Sequence, residues 1–301
     1  MRPYLAAGLA GLLLSACSSP TLRFEDPSAL GFDAVPVTPI ADVATTIAVH
    51  GAPDFLKMAS VGSAWVMNPA TASVQLITDD GVQDEVTGVN PIGAMCRAFG
   101  SLWTASKKRG QPGELVRIDP RTRRIEARMP VGMLSYESTL AAVGGKLWIL
   151  THRRGDLVAI DPDTNTIAGT MKVARNSYGL AAGFGSLWVT SLGPVVEHEE
   201  PEEGWTPGLL QRIDPDTFEV TARIELGPRP LFLACGEGLV WVVNQGDGTV
   251  SAVDPDTDAV ARRIPLGIAG AGGDIAVGEG RVWVRASEVL LTVVDAWSGG
   301  V

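Results

Sequence analysis

Acid–base chemistry near neutral pH is the speciality of histidine, and the chain has three: His50, His152 and His198. His50 lies in a turn and His198 in an acidic run. His152 directly follows a short apolar run, where a strand is expected to end and side chains can reach a ligand. Glu137 precedes it in the same repeat unit. We therefore take His152 and Glu137 as the candidate catalytic residues, with an exposed turn histidine as the alternative for His152.

Polar side chains also stand at the starts and ends of the predicted inner strands. The candidate ligand-binding residues are Asp54, Asn68, Tyr178, Arg229, Asn244, Asp274 and Arg285. Arginine binds carboxylate or phosphate groups through its planar fork of donors. The set predicts a rim for a polar ligand, and the alternative is a hydrated, charge-balanced funnel.

No metal, cofactor or nucleic-acid partner is expected. Oxygen ligands for a divalent ion exist among the acids and amides, but they come from separated repeats, and no pattern requires them to converge. Nucleotide loops, zinc pairs and nucleophile elbows are not found in the sequence. The formal net charge of −10 argues against a nucleic-acid surface, which needs a clustered basic face.

The elements that must position these residues are short strands. The chain has 301 residues, 46% of them hydrophobic and 19% charged, with 35 glycines and 20 prolines. Short β-rich runs separated by turn residues dominate, and no long window has the apolar period of a helix. The composition indicates an all-β protein with a sizeable core.

A glycine followed three residues later by tryptophan recurs six times. The pairs are Gly62/Trp65, Gly100/Trp103, Gly145/Trp148, Gly185/Trp188, Gly238/Trp241 and Gly280/Trp283. The spacing is that of a four-stranded propeller blade. The glycine suits a tight turn between the first two strands, and the tryptophan suits a wedge between neighbouring sheets.

A second marker, Asp-Pro after an apolar pair, follows in most repeats, for example at Asp119, Asp161, Asp214 and Asp254. Such an aspartate accepts hydrogen bonds from amides two and three residues on, and proline presets the first turn torsion. Because the marker recurs, we interpret these aspartates as hairpin residues rather than catalysts.

The last repeat ends after its third strand. Residues 44–51 match the fourth-strand pattern of residues 261–267, so the N-terminal strand is expected to pair with the last blade and remove an open edge. The predicted fold is thus an all-β, six-bladed β-propeller of four-stranded blades over residues 43–301, closed by its N-terminal strand.

The motifs of residues 184–190 and 160–167 resemble those of YVTN-type and streptogramin-lyase-like propellers. The resemblance covers roughly residues 44–301 and implies the propeller fold with a ligand at one mouth of the channel. In streptogramin lyases, histidine and glutamate are expected together at that mouth; this chain offers His152 with Glu137 but lacks the fuller constellation. The leading hypothesis is therefore a non-catalytic binder of a small polar ligand or a protein partner, and the alternative is a lyase or hydrolase of this type.

The N-terminus predicts export and lipid anchoring. Residues 1–16 have a short positive region and an apolar run too short to span a bilayer, as in a signal peptide. Residues 14–17 resemble a bacterial lipobox, which implies lipidation of Cys17; an ordinary secretory signal is the alternative. Residues 17–42 are expected to tether the propeller to a lipid bilayer of the cell envelope. In a Gram-negative source, this would be the outer membrane, with the propeller facing the periplasm.

Two further features carry weaker expectations. The long insertion of residues 193–208 is rich in glutamate and contains Trp205, which indicates a solvated loop or a docking loop for a protein partner. Cys96 and Cys235 fall in equivalent strands of opposite repeats, so no disulfide is expected between them.

Overall fold

The computed structural model describes residues 46–132, 140–152, 154–192, 206–266, 273–285 and 291–301. Within these ranges the regular elements are all strands, and no helix is long and apolar enough to span a membrane. The signal sequence and Cys17 lie outside the described residues.

The strands form six consecutive antiparallel sheets, which are the six blades of a propeller. Blade 1 contains β1 (Leu56–Ser60), β2 (Ser63–Asn68), β3 (Ser73–Thr78) and β4 (Gly81–Thr87). Blade 2 contains β5 (Pro91–Ala98), β6 (Ser101–Ser106), β7 (Gly113–Asp119) and β8 (Arg124–Gly132). Blade 3 contains β9 (Leu140–Val143), β10 (Lys146–His152), β11 (Asp156–Asp161) and β12 (Thr166–Lys172).

The second half repeats the arrangement. Blade 4 contains β13 (Ser177–Gly183), β14 (Ser186–Ser191), β15 (Pro207–Asp214) and β16 (Glu219–Pro228). Blade 5 contains β17 (Pro230–Gly236), β18 (Leu239–Asn244), β19 (Thr249–Asp254) and β20 (Ala259–Pro265). Blade 6 contains β21 (Ile275–Gly278), β22 (Arg281–Arg285) and β23 (Leu291–Asp295). The predicted six-bladed, all-β fold is confirmed.

The glycine–tryptophan marker has the predicted role. Gly185 and its neighbour Phe184 both have positive φ, +70° and +54°, as a two-residue type I′ hairpin requires. Trp188, two residues into the next strand, is fully buried and donates its indole N–H to the carbonyl of Gly183 at 3.1 Å. Equivalent indole bonds occur in blades 2, 3 and 5. The tryptophan thereby fixes both the hairpin and the face of the blade.

The Asp-Pro marker also behaves as predicted. Asp161 Oδ1 accepts the N–H groups of Asp163 at 2.8 Å and Thr164 at 3.2 Å, and Asn165 follows with φ of +57°. Asp119, Asp214 and Asp295 accept the same pair of amides in their own blades. These hydrogen bonds lower the pKa of each of the four carboxyl groups. The aspartates are turn residues.

Five blade–blade interfaces are apolar and closed. A separate buried cluster joins blades 1 and 2, 2 and 3, 3 and 4, 4 and 5, and 5 and 6. In each, the tryptophan of one blade packs against the next, and Trp65, Trp103, Trp148, Trp188 and Trp241 are at most 1% exposed. Burial of these rings is a large part of what holds successive sheets together.

Cations reinforce several of these interfaces. Arg212 lies over the ring of Trp188 and donates to the carbonyl of Pro255 at 2.7 Å and to Asp258 at 3.0 Å, both in the next blade. Arg117 makes the same contacts from blade 2 to blade 3, and Arg262 reaches from blade 5 to blade 6. Each cation joins a tryptophan to the following hairpin.

The interface between blades 6 and 1 is different. Leu56 and Met58 of β1 point away from blade 2, and each is 57% exposed. On the other side, Trp283 is 41% exposed, although its five counterparts are buried. Because successive strand residues alternate faces, Trp283 points away from blade 5 and toward blade 1, like Asp274 and Ala276. We call this interface, formed by these five residues, the seam.

The predicted closing strand is not formed in the described residues. Thr46–Val49 has no strand assignment, and the sheet of blade 6 contains three strands rather than four. Val49 instead packs against Ala64 and Val66, on the face of blade 1 that looks toward blade 6. Every other outer strand is joined by a hairpin to its neighbour, and the hairpin sets the register. A closing strand would have to pair with β23 across the length of the chain, without a hairpin to guide it.

Candidate functional site

Inner-strand starts and second-strand ends meet at one rim, as predicted. The backbone bonds that show this run from Asp54 N to Met67 O, Lys107 N to Asn90 O, Leu192 N to Asn176 O, Gln245 N to Arg229 O and Gly273 N to Arg285 O, all at 2.9–3.0 Å. In five blades the start of the inner strand therefore meets the end of the second strand, and four of these blades carry the candidate ligand-binding residues at this rim.

The channel encloses a cavity of about 420 Å³. Its lining residues come from the inner-strand region of all six blades, and the large apolar ones are Phe55, Leu56, Met58, Met95, Leu140, Leu180, Phe232 and Leu233. The wall is thus mainly apolar, in contrast to the polar rim expected from the sequence. Concave apolar sites with few polar groups are typical of small-molecule binding.

The charged residues of the cavity lie in blades 1 and 6. Lys57 and Asp274 line it, and Asp54 stands just before β1. Partial desolvation at the mouth raises the pKa of Asp54, although much of the residue remains exposed. Blades 2, 3 and 4 contribute apolar residues and glycine. The cavity therefore has one charged side and one apolar side.

Arg285 stands beside Asp274 at the rim. The N–H of Arg285 donates to the carbonyl oxygen of Asp274 at 3.3 Å, so the two residues are neighbours across β21 and β22. The guanidinium Nε of Arg285 is buried and has no hydrogen-bond partner in the part of the chain that the structure describes. A buried donor without a partner is costly, and a ligand acceptor would relieve this cost.

Aromatic rings border the same region. Phe232 lies edge-on to Tyr178, with ring centroids 5.6 Å apart, and both rings belong to the inner-strand layer. The Arg285 guanidinium and the Phe232 ring both approach Gly273: a Cβ there would lie 3.5 Å from Nη1 of Arg285 and 3.8 Å from the ring. Glycine at this position leaves the rim open between the cation and the aromatic ring.

Asn68 and Asn244 lie inside their blades rather than at the cavity. Both are fully buried. Asn68 Oδ1 accepts the N–H of Ala52 at 3.2 Å, and Asn244 Nδ2 donates to Thr249 and Ser251 at 2.9 and 2.8 Å. These amides hold the turns of the rim, so the structure gives them a supporting position behind the candidate site.

Arg229 occupies the start of β17 with φ of +50°, and burial lowers the pKa of its guanidinium. It shares the rim with Tyr178 but does not line the cavity. Of the seven predicted ligand-binding residues, only Asp274 lines the cavity. Tyr178 contacts the lining residue Phe232, and the guanidinium of Arg285 approaches Gly273 beside the same ring.

His152 lies at the turn between β10 and β11, one strand away from the channel. Its Nδ1 accepts the N–H of Arg154 at 3.0 Å, which fixes the ring as part of the turn. Glu137 lies outside the described residues. The proximity of His152 and Glu137, on which a catalytic pair depends, therefore remains a prediction.

Lys57 and Phe232 were missed by the sequence interpretation. Both lie within inner strands, whereas the predicted residues stand at strand ends. The available signal was the position of each residue two or three places into the strand after the rim turn, where a side chain can face the channel.

A second depression, of about 480 Å³, lies at the outer part of blade 2. Its arginine, Arg128, is engaged by Glu114 and by the carbonyl of Gly88. Because Arg128 is already satisfied and this depression is lined by blade 2 and the residues just before it rather than by all six blades, the central cavity is the better candidate site.

Metal-ligating clusters of three or more histidine, cysteine, aspartate or glutamate residues do not occur among the described residues. Cys96 and Cys235 are free thiols, as expected, and burial raises the pKa of Cys235 to about 12. A thiol with such a pKa is a poor nucleophile at neutral pH.

The blades and the channel define the protein as a six-bladed β-propeller. No protein-family model matches the chain, and no curated protein matches it in sequence. Among solved structures, a catalytically inactive variant of virginiamycin B lyase from Staphylococcus aureus, with quinupristin, is similar with a TM-score of 0.61 and 16% identity, over 79% of this chain and 78% of that chain.

Two further structures are similar to the same degree. A streptogramin B lyase has a TM-score of 0.63 and 15% identity, over 81% of this chain and 78% of that chain. Hydrazine synthase from Kuenenia stuttgartiensis has a TM-score of 0.65 and 14% identity, over 83% and 85%. The expected resemblance to streptogramin-lyase-like propellers is confirmed for the fold, and identities this low carry the fold alone.

Proposed function

We propose that this protein is a non-catalytic binding propeller of the cell envelope whose central cavity takes a small ligand. The observation that carries the proposal is the cavity of about 420 Å³, which all six blades line. Its walls suit an apolar body, and the charged groups of blades 1 and 6 suit a polar end. The ligand is therefore amphipathic rather than uniformly polar.

Lipid anchoring through Cys17 belongs to the same proposal. The signal-like residues 1–16 and the tether of residues 17–42 support it. Labelled fatty acid should be incorporated into the full chain in bacterial cells and not into a Cys17→Ala variant. Equal labelling of the two chains would refute lipidation at this residue.

The catalytic alternative has weaker support. The similar solved structures include lyases, but at 15–16% identity they transfer no activity. His152 is held in the turn between β10 and β11, where its Nδ1 accepts the N–H of Arg154. A lyase activity of the purified chain that disappears in His152→Ala would replace the binding proposal with the catalytic one.

Ligand binding is tested with a panel of amino acids, peptides, sugars and aromatic acids on the full chain by thermal shift. A ligand present at about 100 times its Kd stabilises the folded state by about 2.7 kcal/mol. Ala276 lines the cavity at the exposed seam, so Ala276→Trp should block it and abolish the shift.

Ala168→Trp is the matched control, since Ala168 is exposed on the outer strand β12. It should leave the thermal shift intact. Unchanged binding by Ala276→Trp would place the ligand elsewhere, and no binding from the whole panel would overturn the proposal.

A further inference from the structure

Two opposite charges stand side by side at the cavity rim without pairing. Asp274 and Arg285 are backbone neighbours across β21 and β22, yet no ion pair joins them in the described structure. One carboxylate oxygen of Asp274 accepts the N–H of Ile275 at 2.9 Å, and the Nε of Arg285 is buried without a partner. Each group therefore has unused hydrogen-bonding capacity.

Asp274 and Arg285 lie on the same face of blade 6. On β21 and β22, Ile275 and Val284 pack against blade 5. Strand alternation places Asp274, Trp283 and Arg285 together on the opposite face of blade 6. Asp274 lines the central cavity, and the guanidinium of Arg285 approaches Gly273 beside the cavity-lining ring of Phe232.

The surroundings of this pair are apolar. Leu56, Met58 and Phe232 line the cavity near it, and Leu180 and Leu233 continue the wall. An apolar surround strengthens the attraction between a ligand's charge and its partner, and a net-neutral ligand avoids the cost of burying an excess charge.

We propose that the cavity binds an α-amino acid with a large apolar side chain. Its carboxylate accepts hydrogen bonds from the guanidinium of Arg285, and its ammonium group donates to the carboxylate of Asp274. Its side chain occupies the apolar part of the cavity beside Phe232. This inference rests on the proposed binding function and names the ligand class.

Other charges face the same space, and they are consistent with a ligand that carries both signs. Lys57 lines the cavity from blade 1, and Asp54 stands at its mouth. A purely anionic ligand would meet the two aspartates, and a purely cationic one would meet Lys57 and Arg285. A zwitterion has a favourable partner for each of its charges.

The test compares three compounds by calorimetry on the full chain: L-phenylalanine, L-phenylalaninamide and 3-phenylpropionate. The amide lacks the carboxylate, and the propionate lacks the ammonium group. L-phenylalanine should bind at least about tenfold more tightly than either analogue, the range expected for loss of a charged hydrogen bond.

Two variants test which protein residue binds the carboxylate of the ligand and which binds its ammonium group. Arg285→Gln should remove the preference for L-phenylalanine over its amide and keep the preference over 3-phenylpropionate. Asp274→Asn should have the opposite pattern. Arg281→Gln is the matched control, because Arg281 lies on the same strand and face as Arg285 but at the other end. It should bind all three compounds like the unaltered chain.

The outcomes separate this inference from the proposed function. If the three compounds bind equally, or if either variant keeps both preferences, the amino-acid assignment is wrong. If none of them binds while another panel compound binds in a manner sensitive to Ala276→Trp, the assignment fails and the cavity function stands. If no compound binds at all, both fail.

Discussion

The interface between blades 5 and 6 and the seam between blades 6 and 1 use equivalent tryptophans with opposite results. Trp241 is fully buried in a cluster that includes Val282 and Val294 of the next blade, whereas Trp283 is 41% exposed. The same residue in the same strand position thus packs only where the following blade closes on it. The burial of the tryptophan therefore depends on the following blade, and not on the blade that contains it.

The difference follows from chain connectivity. Five interfaces join blades that succeed one another in sequence, so a short connection brings the next sheet against the tryptophan. The seam joins the two ends of the propeller, and only Val49 of the described residues covers the exposed face of blade 1. Because long-range closure costs more chain entropy than local closure, we expect the seam to be the weakest of the six interfaces.

The largest expected effect on stability comes from removing a fully buried tryptophan between two blades. Trp241→Ala should lower the free energy of unfolding by about 3–5 kcal/mol, the usual cost of removing a large core side chain. Trp283→Ala should cost about 1 kcal/mol, because the ring already contacts solvent. Urea unfolding followed by circular dichroism measures both. Equal losses would mean that Trp283 is as well covered as Trp241, and the contrast between the interfaces would be wrong.

An intermediate effect is expected for the cations. Arg212 donates across the interface of blades 4 and 5 and is mostly buried. Arg212→Gln should destabilise the protein by about 1–3 kcal/mol, since charged hydrogen bonds are lost. Arg281 is exposed at the seam, and Arg281→Gln should change stability by less than about 0.5 kcal/mol. The same urea titration measures both variants. A large loss of stability in Arg281→Gln would indicate that a cation also joins the blades at the seam.

The smallest effect concerns acid stability, where the two regions should behave alike. Backbone hydrogen bonds lower the pKa of Asp161 in blade 3 and of Asp295 in blade 6. Each folded-state pKa lies below its unfolded value, so the stabilisation is present above the ordinary aspartate pKa and is lost as pH falls through the folded value.

Asp161→Asn and Asp295→Asn should therefore each lose less Tm than the unaltered chain between pH 6 and pH 2.5. Thermal unfolding across that range provides the measurement. Asp54 acts in the opposite sense, because its raised pKa favours the protonated folded state and its contribution falls as pH rises above the ordinary value. A change in acid dependence for only one of the two variants would show that the two turns do not contribute alike.

The fold was predictable because its signals are local. The Gly-x-x-Trp and Asp-Pro markers each specify one hairpin or one wedge within a few residues, and six copies leave few alternatives to a propeller. The closing strand was predicted from pattern alone, and among the described residues no strand pairs with β23 in that way, because such pairing depends on a distant part of the chain.

The site was predictable only in part. The rim shared by Asp54, Asp274 and Arg285 follows from strand direction. The burial of Asn68 and Asn244 does not, because a polar residue at a strand end looks the same in sequence whether it faces a ligand or holds a turn. The apolar cavity wall was missed for a similar reason: residues such as Phe232 look like core residues until the channel is seen.

The uneven burial of the equivalent tryptophans has a mechanical consequence. A propeller whose six interfaces were equally stable would have no preferred place to open. A propeller with one weaker interface behaves as a linear array of blades with two ends. Denaturation should then begin as fraying of the terminal units, and the middle of the array should be the last part to lose its structure.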